Sequence, residues 1–110
     1  MLKIKIVILF LFSVFTAFSQ TDTLRIKTSA QCSMCKKKLE HDIVYTKGVK
    51  SASLDLKTKQ LIVVYHPEKT NPDKIRKAVS MIGYDADSIP ADTKTYKNLS
   101  DCCKKGGHDD

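Results

Sequence analysis

The sequence predicts an α+β domain whose elements follow the order β-α-β-β-α-β, with an antiparallel four-stranded sheet and two helices on one face. Three observations support this prediction. Some segments alternate apolar and polar residues, as strands do; two others repeat apolar residues at helical spacing; and Gly or Pro stands where one pattern gives way to the next. The chain has 110 residues, which is enough for one small domain.

The first half of the domain contains three of the strands. Residues 23–28 alternate and predict the first strand. A helix is predicted from Met34, because apolar residues then recur every four positions, and Gly48 suits its end. Residues 49–56 alternate again and predict the second strand. Residues 61–65 are β-branched and apolar on both faces, which predicts a central third strand.

The second half begins with a helix-start signal at residues 71–73, where Asn, Pro and Asp suit the N-cap and the first helical turn. Gly83 is expected to end this helix. A short fourth strand is predicted over 85–89 and a brief further helix over 91–99. The resulting order is that of the ferredoxin-like, split βαβ arrangement.

Residues 1–19 have the layout of a cleavable signal peptide. Two lysines precede an apolar run over 6–12, and the small residues Ala17 and Ser19 suit the positions before a cleavage site. The apolar run is short for a membrane span, which needs about 20 residues. We therefore expect a periplasmic or secreted protein whose mature form is not embedded in a membrane. The alternative is an uncleaved N-terminal anchor.

Charge and organisation narrow the range of partners. The expected domain covers residues 20–90, and residues 91–110 form a C-terminal tail with a short helix and a cysteine pair. A net charge of +7 is compatible with nucleic-acid binding. Export and the lack of aromatic residues suited to base stacking argue against it. We expect a solvated basic surface and no nucleic-acid partner.

The four cysteines form two close pairs, Cys32 with Cys35 and Cys102 with Cys103. As disulfides, such pairs would close only short loops and stabilise the fold little. Cys32 and Cys35 stand in a C-x-x-C motif where the first strand meets the first helix, and a helix N-terminus favours the thiolate. Two thiolates suit soft ions such as Cu(I) and Zn(II). The alternatives are a structural disulfide, or a thiol–disulfide redox protein with Cys32 as nucleophile and Cys35 as resolving thiol.

The segment from Leu24 to Asp87 resembles a heavy-metal-associated domain, the module of copper chaperones, metal-ATPase N-terminal domains and the periplasmic mercuric-ion-binding protein. The motifs that carry the resemblance are the C-x-x-C after the first strand, the segments 49–55, 63–65, 67–70 and 75–78, and the pair Gly83-Tyr84. The resemblance implies a metallochaperone or metal scavenger rather than an enzyme.

The resemblance also implies roles for particular residues. Cys32 and Cys35 are the expected ligands, and Tyr84 is expected to pack over the metal loop and shield the ion, with Met34 as a second shielding residue. The family's usual Gly-Met-Thr before the first cysteine is replaced here by Ser-Ala-Gln at residues 29–31. Cu(I) is the first expectation for the ion, and Zn(II), Cd(II) and Hg(II) are the alternatives.

The tail and the helix start carry the remaining candidates. Cys102, Cys103 and His108 are candidate additional ligands, provided that the tail folds back to the C-x-x-C motif. The alternative is a flexible tail with its own disulfide or with a disulfide to another chain. Three consecutive lysines, Lys36, Lys37 and Lys38, follow the C-x-x-C motif. They form either a solvated helix start or, as the resemblance implies, a docking surface for an acidic partner. Its expected transient partner is a metal-transporting membrane protein or another metal-binding domain.

Overall fold

The computed structural model describes residues 20–99, 103 and 104. The expected signal peptide at 1–19 lies outside the described residues, as do Cys102 and His108. Within the described part, no helix combines the length and the apolar character needed to cross a bilayer.

The sheet consists of three antiparallel strands: β1 (Asp22–Lys27), β2 (Val49–Asp55) and β3 (Gln60–Tyr65). Their order is β1-β3-β2, which confirms the prediction that β3 is central. Along β3 the alternate residues Leu61, Val63 and Tyr65 are buried, while those between them are only half-buried. The hydrophobic core therefore lies on one face of this sheet.

The prediction of a fourth strand over 85–89 is wrong: among the described residues the sheet has three strands. Ala86 instead forms isolated bridges with Thr28 and Ile89. The chain turns at Asp87, whose φ of 53° lies in the left-handed region, and the N–H of Ile89 donates to the carbonyl of Ala86 at 2.9 Å. The segment thus closes on itself instead of extending along β1.

Three helices are described: α1 (Ser33–Ile43), α2 (Pro72–Ile82) and α3 (Thr93–Lys97). The signal at residues 71–73 is confirmed, since the side chain of Asn71 accepts from the N–H of Lys74 at 2.9 Å. Gly83 follows α2 with a φ of 119°, the left-handed conformation that favours glycine at a helix end.

Gly48 does not end α1 as predicted. The helix stops at Ile43, and turns lead from there to β2. Gly48 has a φ of 87°, and a Cβ at this position would lie 2.8 Å from Cγ2 of Thr70. Its carbonyl accepts from the N–H of His66 at 2.8 Å, so this glycine joins the start of β2 to the end of β3.

The brief helix predicted over 91–99 is shorter than expected but present as α3. Its N-cap, Asp92, accepts from the N–H of Thr95 at 3.1 Å, and the N–H of Asp92 donates to the carbonyl of Ser80 at 2.9 Å. Leu99 follows α3 and is buried against Gly83. Residues 92–99, which follow the family-like segment, are therefore packed onto the end of α2.

Candidate metal centre

Three thiols meet at one end of the sheet. The sulfur atoms of Cys32, Cys35 and Cys103 all lie within 4.8 Å of one another. Cys32 Sγ is 2.9 Å from Cys35 Sγ and 3.9 Å from Cys103 Sγ. All three side chains are buried, and the structure has them as thiols rather than as a disulfide. The C-x-x-C pair is thus joined by a cysteine from the tail.

The start of α1 positions the first two thiols. Cys32 is the N-cap of α1, with extended backbone, and its sulfur accepts from the N–H of Cys35 at 3.4 Å. A cysteine is an unusual N-cap, but a thiolate there gains from the helix N–H groups and dipole. Cys35 lies on the buried face of the helix with Leu39 and Ile43. The apolar repeat that predicts the helix therefore also turns this thiol inward.

The tail thiol is held by contacts between the tail and the loop before α1. The side-chain amide of Gln31 donates to the backbone carbonyl of Lys104 at 2.6 Å, next to Cys103. Ser29 Oγ accepts from the N–H of Asp85 at 2.9 Å, and Asp85 in turn accepts from the N–H of Ala91 at 2.9 Å. Two of the three positions that depart from the family's Gly-Met-Thr therefore contact later parts of the chain. The third, Ala30, is fully buried.

Tyr84 packs over the thiols, where the resemblance places it. Its side chain is fully buried. Its hydroxyl faces Cys35 and Cys103 but forms no well-aligned hydrogen bond with any described residue. Burial, followed by the adjacent Cys103 and Cys35 side chains, raises the pKa of Tyr84 far above its ordinary value, so the hydroxyl keeps its proton and can act as a donor.

The tail thiol is also shifted toward its neutral form. Burial raises the pKa of the Cys103 thiol well above its ordinary range, and the neighbouring Cys35 adds to the effect. A buried group of this kind ionises when a cation replaces its proton. Because thiolate is the form that ligates metals, an ion bound by this cluster would displace protons, and its binding would depend on pH.

The other described candidates from the sequence are exposed or form contacts elsewhere in the fold. Met34 is 53% exposed. Lys36 binds Glu40 at 2.7 Å and the carbonyl of Leu54 at 2.8 Å, which draws it toward β2. Lys38 pairs with Asp42 at 3.1 Å, and Lys37 is exposed. Of the three lysines, Lys37 is the one that points to solvent with no ion pair among the described residues.

Sequence reasoning missed the residues that bring the tail to the site. Gln31 is a polar residue in a loop, and nothing in its neighbourhood signals a bond to a residue 73 positions away. The pairing of Ser29 with Asp85 carries no sequence signal either. Asp92 offers the one recognisable signal, since an Asp before a short helical segment is a typical N-cap.

The chain matches the family model described as "Heavy-metal-associated domain" over residues 25–85. Among curated proteins, a copper-exporting P-type ATPase of Staphylococcus epidermidis is 35% identical over 57 residues. A copper-exporting P-type ATPase of Staphylococcus aureus is 36% identical over 59 residues. These matches cover 52% and 54% of this chain but only 7% of each ATPase.

Solved structures share the fold. The structure of a CopZ metallochaperone superposes with a TM-score of 0.56 and 26% identity, over 59% of this chain and 98% of the chaperone. The oxidised form of MerP from Ralstonia metallidurans superposes with a TM-score of 0.57 and 26% identity, over 61% of this chain and 94% of MerP. Both similarities cover about three-fifths of the chain.

Proposed function

Because the chain belongs to the heavy-metal-associated domain family, we propose that it is an exported carrier of a soft metal ion. The carrier holds the ion through the thiolates of Cys32 and Cys35 and does not catalyse a reaction on it. The observation that supports this most directly is the buried pair of sulfurs, 2.9 Å apart, at the N-terminus of α1. Converging thiolates at a helix N-terminus favour soft cations over hard ones.

The class of ion follows from the ligands and from the relatives. Sulfur ligands suit Cu(I), Zn(II), Cd(II) and Hg(II) and exclude Mg²⁺ and Ca²⁺, which take oxygen ligands. Two of the curated relatives are named as copper exporters. Cu(I) is therefore the first ion to test. Hg(II), Zn(II) and Cd(II) are the alternatives within the same chemistry.

Delivery is proposed to proceed by ligand exchange. An acceptor thiolate attacks the bound ion, and one of Cys32 or Cys35 leaves as the new metal–sulfur bond forms. The acceptor is a metal-transporting membrane protein or a second metal-binding domain. The exposed Lys37 is the residue of the lysine run best placed to meet an acidic surface on it. Because Cys32 is only 8% exposed and Cys35 is fully buried, the exchange requires the loop before α1 to open toward the acceptor.

Metal binding is tested by native mass spectrometry of the reduced chain with Cu(I), Zn(II) and Hg(II). We expect one ion per chain, lost in Cys32→Ser/Cys35→Ser. The matched control is Ser33→Ala, which alters an exposed residue between the two cysteines and leaves both thiols in place. If no ion binds at micromolar concentration, or if the double variant binds as well as the parent, the proposal is wrong.

Export is tested separately. The full chain is produced in a bacterium with two membranes, and the periplasmic fraction is analysed by intact mass. The proposal expects a periplasmic product beginning at Gln20. A product that keeps residues 1–19 and stays with the membrane fraction would favour the N-terminal anchor instead.

A thiol–disulfide exchange function is less well supported. The family model that the chain matches is described by metal association and not by disulfide exchange, whereas the low exposure of Cys32, 8%, limits access for a substrate disulfide and for an acceptor thiolate alike. Reduction of insulin by the dithiol form separates the two functions. A carrier leaves insulin intact, whereas catalytic turnover would favour the redox function.

A further inference from the structure

We infer that Cys103 is a third ligand, so that the tail turns the two-thiolate motif into a three-thiolate site for divalent soft ions. This inference rests on the proposed function and deepens it, because it names the class of ion that the site prefers. The sequence motif alone would supply only Cys32 and Cys35. The observations that add Cys103 are the sulfur spacing, the buried tyrosine hydroxyl and the contacts that hold the tail.

The sulfur spacing suits three ligands better than two. With metal–sulfur bonds of about 2.3 Å, sulfurs around a planar three-coordinate ion lie about 4.0 Å apart, and those of a linear two-coordinate ion about 4.6 Å apart. Cys32 Sγ and Cys103 Sγ are already 3.9 Å apart. Cys32 Sγ and Cys35 Sγ, at 2.9 Å, must separate by about 1.1 Å for the planar ion but by about 1.7 Å for the linear one.

The buried hydroxyl of Tyr84 is a second, independent indication that a charged group forms at the three thiols. It is buried without a well-aligned partner among the described residues, and it faces Cys35 and Cys103. A buried hydroxyl is normally hydrogen-bonded. A metal-bound thiolate is a stronger acceptor than a neutral thiol, because the acceptor then carries charge. The hydroxyl therefore has a good partner once the neighbouring sulfurs are metal-bound thiolates.

The tail is held in place on both sides of Cys103. On one side Lys104 accepts the bond from Gln31, at 2.6 Å. On the other side Leu99 is buried against Gly83. Side chains fixed by surrounding contacts lose little freedom when they ligate, which raises affinity. Cys103 is accordingly presented to the other two thiols before any ion arrives.

The net charge of a buried three-thiolate site favours divalent ions over Cu(I). Three thiolates leave a net charge of −2 around Cu(I) but only −1 around Cd(II) or Hg(II), and burying the larger charge is more costly. A tetrahedral Zn(II) site needs a fourth ligand, whereas the cluster formed by the described residues supplies only three. The third thiolate should therefore strengthen the binding of three-coordinate divalent ions more than that of Cu(I).

The test uses the reduced chain and Cd(II) as the probe, with Cu(I) for comparison. Cd(II) affinity is measured by competition with a chelator, and the thiolate-to-metal absorbance is read for each variant. Cys103→Ser is compared with Cys102→Ser, which removes the neighbouring thiol of the same tail. We expect Cys103→Ser to weaken Cd(II) binding at least tenfold, to lower the absorbance by about a third, and to weaken Cu(I) binding less. Cys102→Ser should change none of these.

A second variant keeps every thiol. Gln31→Ala removes the bond to Lys104, so it should weaken Cd(II) binding severalfold and speed the alkylation of Cys103 in the metal-free chain. Alkylation of the Cd(II)-loaded parent should spare three cysteines, including Cys103. Equal Cd(II) affinity in Cys103→Ser and the parent, or rapid alkylation of Cys103 in the loaded chain, would overturn the inference and leave the two-thiolate carrier standing. Failure of the parent to bind any ion would overturn both.

Discussion

Removing the hydroxyl of Tyr84 should have opposite effects on the metal-free and the metal-loaded protein. In the metal-free structure the hydroxyl is buried without a well-aligned partner among the described residues. Burying an unpaired hydroxyl costs about 1–3 kcal/mol in proteins. Tyr84→Phe keeps the ring and deletes this group. The metal-free variant should therefore be more stable than the parent by about 1 kcal/mol, the lower end of that range.

If the ion binds as proposed, the same hydroxyl gains a charged acceptor in the loaded protein, the thiolate of Cys35 or Cys103. Hydrogen bonds to charged groups contribute about 1.5–3 kcal/mol. Together with the gain of about 1 kcal/mol in the metal-free protein, losing this bond should weaken metal binding by about 2.5–4 kcal/mol, which is about sixty- to seven-hundredfold, since about 1.4 kcal/mol corresponds to a factor of ten. Tyr84→Phe should thus stabilise the empty protein and destabilise the complex.

The assay is chemical denaturation of the reduced, chelator-treated variant, paired with a competition titration for Cd(II). Tyr45→Phe is the matched control, because the Tyr45 side chain is 78% exposed and its hydroxyl is solvated. The control should change neither quantity. If Tyr84→Phe destabilises the metal-free protein, or if it binds Cd(II) as tightly as the parent, the assignment of this hydroxyl as a donor to metal-bound thiolate is refuted.

Two further predictions concern the tail and the first helix. Gly83→Ala adds a Cβ 3.2 Å from Leu99 at a φ of 119°, so it should destabilise the fold by about 1–3 kcal/mol and speed alkylation of the tail thiol. Gly48→Ala also places a Cβ at a positive φ, 87°, and 2.8 Å from Cγ2 of Thr70, so it should destabilise the fold without speeding alkylation. Equal alkylation rates in the two variants would contradict the reasoning. Asp42 has its pKa lowered overall, because hydrogen bonds from His41 and Lys38 outweigh the opposing effect of burial. The ionised Asp42 carboxylate therefore stabilises the folded protein above its ordinary pKa of 3.8. This stabilisation is lost as the pH falls through the lower pKa of the folded state. Acid titration followed by circular dichroism should therefore show a smaller loss of stability in Asp42→Asn than in the parent, and identical acid profiles would contradict this.

The sequence predicted the elements that depend on local signals. The start of α2 at residues 71–73 and its end at Gly83 follow from capping preferences that are visible in the sequence. The central position of β3 follows from its apolar residues, and α1 follows from the four-residue spacing of apolar residues such as Leu39 and Ile43. These features are confirmed because each depends on residues a few positions apart.

The features that the sequence did not predict depend on distant contacts. The segment over 85–89 was predicted as a strand although its two aspartates are uncommon in strands. In the structure the left-handed Asp87 is held by hydrogen bonds with Lys27, and these turn the chain. The bond from Gln31 to Lys104 likewise joins two parts of the chain that carry no mutual signal. The position of Cys103 could be raised only as an alternative, since tail geometry follows from such contacts.

The separation of Cys32 and Cys103 along the chain gives an ion bound to both a topological effect. An ion held by Cys32 and Cys35 alone links two residues that are 3 positions apart in the sequence. The unfolded chain can form so short a loop almost as easily as the folded chain. An ion that also holds Cys103 bridges 71 positions. By the entropy of loop closure, a cross-link of that span is worth about 4 kcal/mol against about 2 for the short one. The bound ion would then act as a reversible cross-link that stabilises nearly the whole domain against unfolding. A chain truncated before Cys103 would still bind an ion but would lose this stabilisation.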